Sequence, residues 1–456
     1  MTVTGPVSAT DPASATGSAS VTDVASAAVS PPAAAGPETA RASRRAVVAA
    51  SAGTVLEWYD FFLYGTAAAL VFPTLFFPES APGVAVLLSL AVFATGFVAR
   101  PLGGIAAAWL GDRAGRRTAL IATVVVMGVA TAGIGVLPTY AQAGALAPAL
   151  LVLLRLAQGA ATGGEWGGAA LLAVEGARSR GARGAFVQSA VYVGLILGNL
   201  AFVVLTLTLD EAALLSWGWR IPFLASLALL AIALLLRRGV AETPEFVAAR
   251  AADRLARRPV VDALRRPRSV VAVFLMRVGQ NTAFYIVSVF CLGYAVNTLG
   301  LDRSVTLTAL LVGAGLAAVL CPLWGRLGDR IGPFPLVAGG LVALGVLAVP
   351  LFAVLEGGVT ALVVGVVALA IGVANAAADS VQPAWFAALF DAPVRYSGIT
   401  LGREAGAIVG GGLAPLAAAA LAVGVGHWWP VAVMMVLAAG LGLVGAVLAR
   451  TMTTDI

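Results

Sequence analysis

The amino-acid sequence predicts an all-α integral membrane protein, with about twelve membrane-spanning helices in two six-helix bundles. Three observations carry that prediction. Of the 456 residues, 60 % are hydrophobic and 11 % charged, against about 45–50 % and roughly 25 % in soluble globular domains. Arginines cluster in alternate loops between the apolar segments. A short charged loop recurs at the same place in each half of the chain.

The composition also excludes. All 28 basic residues are arginine, so a lysine-bearing phosphate loop is impossible and with it a nucleotide-driven pump within this chain. The isoelectric point near 9.9 reflects loop arginines, a pattern of membrane orientation and not of nucleic-acid binding. Cys291 and Cys321 lie in apolar segments, and the single histidine, His427, precedes "WWP" at a segment edge. This set offers no disulfide scaffold, no metal site, no catalytic triad and no cofactor pocket; no enzyme is expected.

Residues 1–45 are rich in Ala, Ser, Thr, Val and Pro and read as a disordered tail. No positive region precedes an apolar stretch there, so no cleaved signal peptide is expected. Apolar segments of spanning length then follow at 46–76, 83–110, 118–138, 146–173, 185–209 and 217–236. The second half gives 270–298, 305–325, 333–355, 359–388, 397–424 and 428–449; about 20 residues cover a ~30 Å hydrocarbon core. These define an N-terminal bundle over 46–237, a linker over 238–269, a C-terminal bundle over 270–449 and a short tail over 450–456. One set of loops carries Arg41, Arg44 and Arg45, then Arg113, Arg116 and Arg117, then Arg178, Arg180 and Arg183, then the linker, Arg326 and Arg330. The alternate set carries Glu79, Asp210, Glu211, Asp302 and Glu356, with Arg303 its exception. The bias places both termini in the cytoplasm. "WLGDRAG" (109–115) recurs as "RLGDRIG" (326–332), which implies two parallel halves around a central pathway.

At these residues the chain resembles the major facilitator superfamily and, within it, the metabolite:proton symporters. The superfamily's loop signature, Gly-x-x-x-Asp-Arg-x-Gly-Arg-Arg, is matched by "AWLGDRAGRR" (108–117), with Ala108 in place of its first glycine. The second copy, "GRLGDRIGPF" (325–334), keeps Gly325 and Asp329 and loses the final basic pair. "LEWYDFFLYG", "FVARPLGG", "RLAQGAATGGEWGGAALLAVE", "WGWRIPF", "ETPEF" and "YSGITLGREAGAIVGGGLAP" match at family level and spread over nearly all of the chain after residue 46. Two departures stand out: Ala108-Trp109 replaces the family's Gly-His, and "ALFD" (388–391) replaces its Glu-Leu-Phe-Pro. With that histidine absent, proton coupling would have to use carboxylates.

A charge in a membrane helix costs at least about 2.5–3.5 kcal/mol near the centre, so each needs a partner or a wet cavity. Glu57 and Asp60 share a helix face with Gly53 and Tyr64 and lie roughly 16 Å deep at 1.5 Å per residue. They are the proton-coupling candidates, weighed against a structural ion pair. Arg155, Gln158, Gly159, Thr162 and Glu165 form a second stripe. There Arg155 is the first candidate to receive a substrate carboxylate or to answer Glu57 and Asp60, while Glu165 neutralises Arg100 or a loop arginine or takes part in gating. Arg100 sits in "RPLGG", a setting to which the resemblance attaches a substrate or gating role; snorkelling is the alternative. Arg277, Gln280, Asn281 and Tyr285 make a polar face on the seventh segment and are substrate-binding candidates with Tyr64 and Gln158. Asn375, Asp379 and Gln382 do likewise on the tenth, and depth pairs Asp379 with Arg403 as an inner gate. Asp112, Arg113, Gly115 and Arg116, with Asp329 and Arg330, are conformational candidates. Gly168, Gly194, Gly198 and 410–412 read as close-packing sites.

The expectation is a secondary transporter in a bacterial inner membrane, acting as a monomer. It would import a small polar metabolite with protons by alternating access, the proton gradient supplying the energy and the bilayer the only other partner. The resemblance implies organic acids such as citrate, 2-oxoglutarate and shikimate, or osmolytes such as proline and betaine, for which Trp58, Tyr59 and Tyr64 offer cation–π faces. The alternatives are a proton-driven exporter and, from another class, a membrane receptor that binds a metabolite without moving it.

Overall fold

The computed structural model describes residues 37–114, 116–163, 165–174, 177, 179–237, 263–391 and 394–453, with 1, 2 and 5. Gly115, most of the 238–269 linker, and the side chains of Asp112, Arg113, Arg116 and Glu165 lie outside what is described. Among the described residues every regular element is helical. The first half contains α1 (Pro37–Leu70), α2 (Pro82–Ala114), α3 (Arg116–Gly135), α4 (Leu146–Thr162, continued by Glu165–Val174), α5 (Arg180–Thr208) and α6 (Arg220–Arg237). The second contains α7 (Pro267–Asn297), α8 (Arg303–Ile331), α9 (Pro333–Gly357), α10 (Thr360–Ala388), α11 (Arg395–Val425) and α12 (Trp429–Thr453).

Among the described residues nine helices are long and apolar enough to cross a membrane, and α6 with the bent 211–218 segment before it gives a tenth. The other two expected spans are α3, apolar over Ile121–Gly135, and α1, the helix of the two acids. Apolar side chains such as Leu207, Val319, Val346 and Leu437 are exposed around the outside, the surface that a bilayer would cover. Within the bundle α7 is the most enclosed, 78 % of its apolar window buried against 39 % for α9.

Two expectations shift. Residues 37–45, assigned to a disordered tail, are helical, because this alanine- and arginine-rich stretch has high helix propensity and runs directly into the span. The "GDR" signatures are not free loops but the last helical turns of α2 and α8.

Helix contact rests on glycine. A Cβ on Gly103 would meet the Ala160 carbonyl at 1.7 Å, one on Gly159 the Gly96 carbonyl at 2.0 Å, and one on Gly163 the Arg100 carbonyl at 1.8 Å. Backbone therefore touches backbone along α2 and α4, which brings Arg100 and Arg155 onto neighbouring turns. Between the halves, Gly181 and Gly325 do the same for α5 and α8, while Gly411 and Gly412 admit the Phe97 ring from α2 against α11. Gly194 and Gly198 pack on the α1 backbone as expected, but Gly168 faces open space. Wide π-type turns occupy Ile286–Phe290, Ala368–Asn375 and Ile408–Leu413, beside Tyr285, at Asn375 and at the glycine run, where such turns re-aim side chains.

Polar contacts join the two halves at both ends of the bundle. At the arginine-rich end Asp329 of α8 accepts from Gly181 N (2.8 Å), Ala182 N (3.1 Å) and the Ser179 hydroxyl, capping the first turn of α5. A carboxylate at a helix N-terminus is stabilising. At the opposite end Asn297 Nδ2 donates to the Ala69 carbonyl (2.9 Å) and Arg303 meets Glu211 (2.9 Å).

Gly159→Ala is expected to lower stability by about 1–3 kcal/mol through overpacking, whereas Gly168→Ala should change it by less than about 0.5 kcal/mol. Thermal unfolding of the two purified variants in detergent checks the contrast; equal melting temperatures would refute the α2–α4 contact.

Candidate functional site

Among the described residues eight ionic side chains are buried within the bundle: Glu57, Asp60, Arg100, Arg155, Arg277, Asp379, Arg403 and Glu404. All but Glu404 had been singled out with a role from the sequence. The structure sorts them into two systems.

The first crosses between the halves. Arg100 Nη2 of α2 donates to Glu57 Oε1 of α1 at 2.8 Å, and its Nε lies 2.9 Å from Glu404 Oε2 of α11. Arg403 donates to the same Glu404 and places its guanidinium carbon 4.0 Å from the Trp166 ring. Trp166 Nε1 donates to Gln188 Oε1 at 3.1 Å, and Gln188 Nε2 donates in turn to Asp379. Asp379 is held by Arg277 (3.0 Å), which also donates to Gln382 (2.9 Å), and it accepts from the Tyr192 hydroxyl (3.3 Å). Asn375 Nδ2 donates to Tyr192 (2.9 Å), and Gln280 Nε2 donates to Asn375 (2.8 Å). One continuous polar chain thus runs through α1, α2, α5, α7, α10, α11 and the Trp166 segment.

The second system lies wholly in the first half. The Thr131 hydroxyl of α3 is 2.9 Å from Asp60 Oδ2, and Gln158 Nε2 of α4 donates to the same hydroxyl oxygen at 2.9 Å. Arg155 donates to Gln158 Oε1 and reaches the Phe93 carbonyl at 3.4 Å. Its guanidinium carbon lies 4.4, 4.2 and 5.0 Å from the ring centres of Phe61, Tyr64 and Phe93. Asp60 Oδ1, Arg155 Nη2 and the hydroxyls of Tyr64 and Tyr285 have no hydrogen-bond partner. Buried polar atoms without a partner are costly unless something else binds them, and the cross-half chain has its own in Arg277 Nε, Gln280 Oε1 and Arg403 Nε.

The expected Asp379–Arg403 pair is not formed. Arg277 faces Asp379 across the second half, and Arg403 turns instead to its neighbour Glu404 and to Trp166. Glu57 is answered by Arg100, not by Arg155, which leaves Arg100 buried with two acids and not snorkelling. Asn281 packs beside Gly410. Arg330 is exposed, beside the capping Asp329. The conformational assignments of Asp112, Arg113, Gly115, Arg116 and Glu165 fall outside the described residues.

Sequence reasoning missed Thr131, Trp166, Gln188 and Tyr192 and gave Glu404 no role. Gln188 and Tyr192, four residues apart on one face of α5, were visible as a polar pair in an apolar helix. Thr131 carried no signal, because a lone threonine in a membrane helix ordinarily bonds its own backbone.

A bundle of apolar helices with an ionic network between its two halves is an architecture that suits a membrane transporter. Comparison with known proteins agrees. A sequence profile of the Major Facilitator Superfamily matches residues 50–402, and the chain belongs to that family. The shikimate transporter of Escherichia coli (strain K12) is 40 % identical over 405 residues, 86 % of this chain and 91 % of its own. The proline/betaine transporter of the same strain is 33 % identical over 394 residues, 82 % of this chain and 77 % of its own. Among solved structures, a partially occluded, inward-open form of the xylose transporter XylE from E. coli superposes with a TM-score of 0.72 at 16 % identity, covering 89 % of this chain and 97 % of the other. That likeness concerns the fold. The chain is a multi-pass membrane transporter of this superfamily and not an enzyme.

Arg277→Gln would leave Asp379 buried without its cation, an expected cost of about 3–5 kcal/mol read as a lower melting temperature. Exchanging the charges in Arg277→Asp with Asp379→Arg should recover part of that loss. Recovery from an Asp379–Arg403 exchange instead would favour the pairing that depth alone had given.

Proposed function

We propose that this protein is a proton-coupled importer of a small organic acid, carrying one proton with each carboxylate. One observation carries the reading. Among the described buried ions, Glu57, Glu404 and Asp379 each lie within salt-bridge distance of a guanidinium, whereas Asp60 and Arg155 form no such bridge. A single acid is therefore left to hold a proton, and a single guanidinium is left to receive an anion. Protonating Asp60 removes the cost of a buried charge that no cation touches, and a carboxylate on Arg155 satisfies its free Nη2 with a charge-assisted bond. Proton and monoanion together leave the charge of the site unchanged.

The surroundings favour a hydroxylated ring acid. Phe61, Phe93 and Phe97 supply apolar faces, and the hydroxyls of Tyr64 and Tyr285 and Gln280 Oε1 are free to bond. Tyr285 lies within electrostatic reach of Arg100, Arg277, Arg403 and Arg155. The resemblance to a shikimate transporter supports the same class. A zwitterionic osmolyte is the second reading, supported by the proline/betaine relatives and by the aromatic rings that could cage an ammonium. Those rings already hold the Arg155 guanidinium, which an ammonium would have to displace, so the acid is the better fit.

Cycling follows from the two systems. The cross-half chain and the Asp329–α5 contacts join the halves, and their separation would open the site to the arginine-rich side, taken as cytoplasmic from the loop charges. In this reading the monomer works in a bacterial inner membrane with both termini in the cytoplasm and the proton gradient as its only energy source.

Purified protein in liposomes loaded with a pH-sensitive dye tests this. Shikimate should drive proton entry at one proton per molecule, indifferent to membrane potential, with citrate, 2-oxoglutarate, proline and betaine as comparison. Asp60→Asn should abolish proton entry, and Arg155→Gln should raise the half-saturating concentration at least about tenfold. Proton entry surviving in Asp60→Asn would sink the assignment. Betaine or proline acting in place of the acids would shift it to the osmolyte reading, and outward proton exchange would make the protein an exporter.

A further inference from the structure

Asp60 and Arg155 are opposite charges on neighbouring helices, yet they do not touch. What separates them is a relay of two side chains, Thr131 and Gln158. Asp60 Oδ2 and Gln158 Nε2 each lie 2.9 Å from the Thr131 hydroxyl oxygen, and Gln158 Oε1 accepts from Arg155. The Thr131 hydroxyl has one hydrogen and a second acceptor within reach, the Met127 carbonyl of its own helix, also at 2.9 Å. One hydrogen makes a well-aligned bond to only one of these acceptors at a time.

We infer that Thr131 is the positioning residue that couples the proton on Asp60 to the anion site at Arg155. The inference rests on the assignment of Asp60 and Arg155 made above. With Asp60 ionised, the Thr131 hydrogen points to Asp60 Oδ2, the oxygen accepts from Gln158, and Gln158 holds Arg155 back among Phe61, Tyr64 and Phe93. With Asp60 protonated, the new O–H donates to Thr131, whose own hydrogen turns to the Met127 carbonyl. The hydroxyl oxygen then accepts from both Asp60 and Gln158. Its grip on Gln158 weakens, Gln158 relaxes its hold on Arg155, and Arg155 swings its free Nη2 toward the substrate. Each proton is accounted for: one enters on Asp60, the Thr131 hydrogen changes acceptor, and none is lost. The hydroxyl also acts as a spacer, for a direct Asp60–Arg155 ion pair would occupy both sites and compete with proton and substrate alike.

The titratable and charged groups around Asp60 are few. Its own helix brings Glu57, Tyr59 and Tyr64; α2 brings Arg100, which Glu57 and Glu404 occupy; α4 brings Arg155; α7 brings Tyr285. Tyr59 is committed through its hydroxyl to the Pro222 carbonyl at 2.8 Å. Among the described residues, α3 presents to Asp60 no charge, only the Thr131 hydroxyl.

The decisive variants are Thr131→Val, which keeps the shape and removes the hydroxyl, and Thr131→Ser, which keeps the hydroxyl. In liposomes with shikimate, half-saturation for exchange in the starting protein should depend on pH by at least about fivefold, the lower end of ordinary coupling between sites. Thr131→Val should make it independent of pH while Thr131→Ser retains the dependence. A second readout needs no substrate. Infrared difference spectra on acidifying the purified protein should show a buried carboxyl band that is absent in Asp60→Asn, displaced in Thr131→Val and restored in Thr131→Ser. A Thr131→Val protein with unaltered pH dependence and an unmoved carboxyl band would overturn the relay and leave symport standing. Equal loss in Thr131→Ser and Thr131→Val would assign Thr131 to packing and likewise overturn it. No carboxyl band attributable to Asp60, together with no proton movement, would overturn both the relay and the symport reading beneath it.

Discussion

The Arg100 guanidinium, held between Glu57 and Glu404, is the contact on which the rest of the centre depends. A buried arginine is tolerable only when its charge is answered and its ring-like plane is covered. Here two acids and the faces of Trp58, Phe61 and Phe97, 5.7–5.9 Å away, do both. The two acids come from different halves of the molecule, one on α1 and one on α11. Arg100 therefore keeps both acids only while the halves are together here. If they part, Glu404 retains Arg403 and Glu57 retains Arg100, so each half still carries a paired charge. Two discrete, internally satisfied arrangements are what a two-state transporter requires.

This arrangement divides the labour. The chain from Glu57 to Gln280 passes through both halves and contains the buried salt bridges found among the described residues. The Asp60–Thr131–Gln158–Arg155 group lies inside one half, and its acid and its arginine are linked only through neutral hydrogen-bonding side chains. Glycine contacts make the division possible. Because Gly159 and Gly163 let α4 lie against the α2 backbone, Arg155 and Arg100 end up close in space while facing different partners.

Much of this was legible in the linear chain for one physical reason. In a membrane helix a charge is anomalous, so Glu57, Asp60, Arg100, Arg155, Arg277, Asp379 and Arg403 announce themselves without any structure. Thr131, Trp166 and Gln188 do not, because uncharged polar residues are tolerated in such helices and their roles come only from what they touch. Depth along a helix also proved a poor guide to pairing. Asp379 and Arg403 are at similar depths, but rotation about their helix axes points them at different neighbours. Gly168 shows the same limit, being one glycine among several in a small-residue stretch, and open space lies before it.

What the sequence determined by itself was the set of helices, the repeat of the two halves and the identities of the buried ions. Hydrophobic length, loop charge and internal repetition are local properties of the chain, and among the described residues a helix lies at each predicted span. What only the tertiary structure decided was who pairs with whom. Hydrogen bonds and ion pairs act over about 3 Å, while neighbours such as Gln188 and Asp379 or Arg100 and Glu404 are separated by hundreds of residues in the chain. Their meeting is set by the crossing and rotation of packed helices, and so are the acid and the arginine that this packing leaves unmatched.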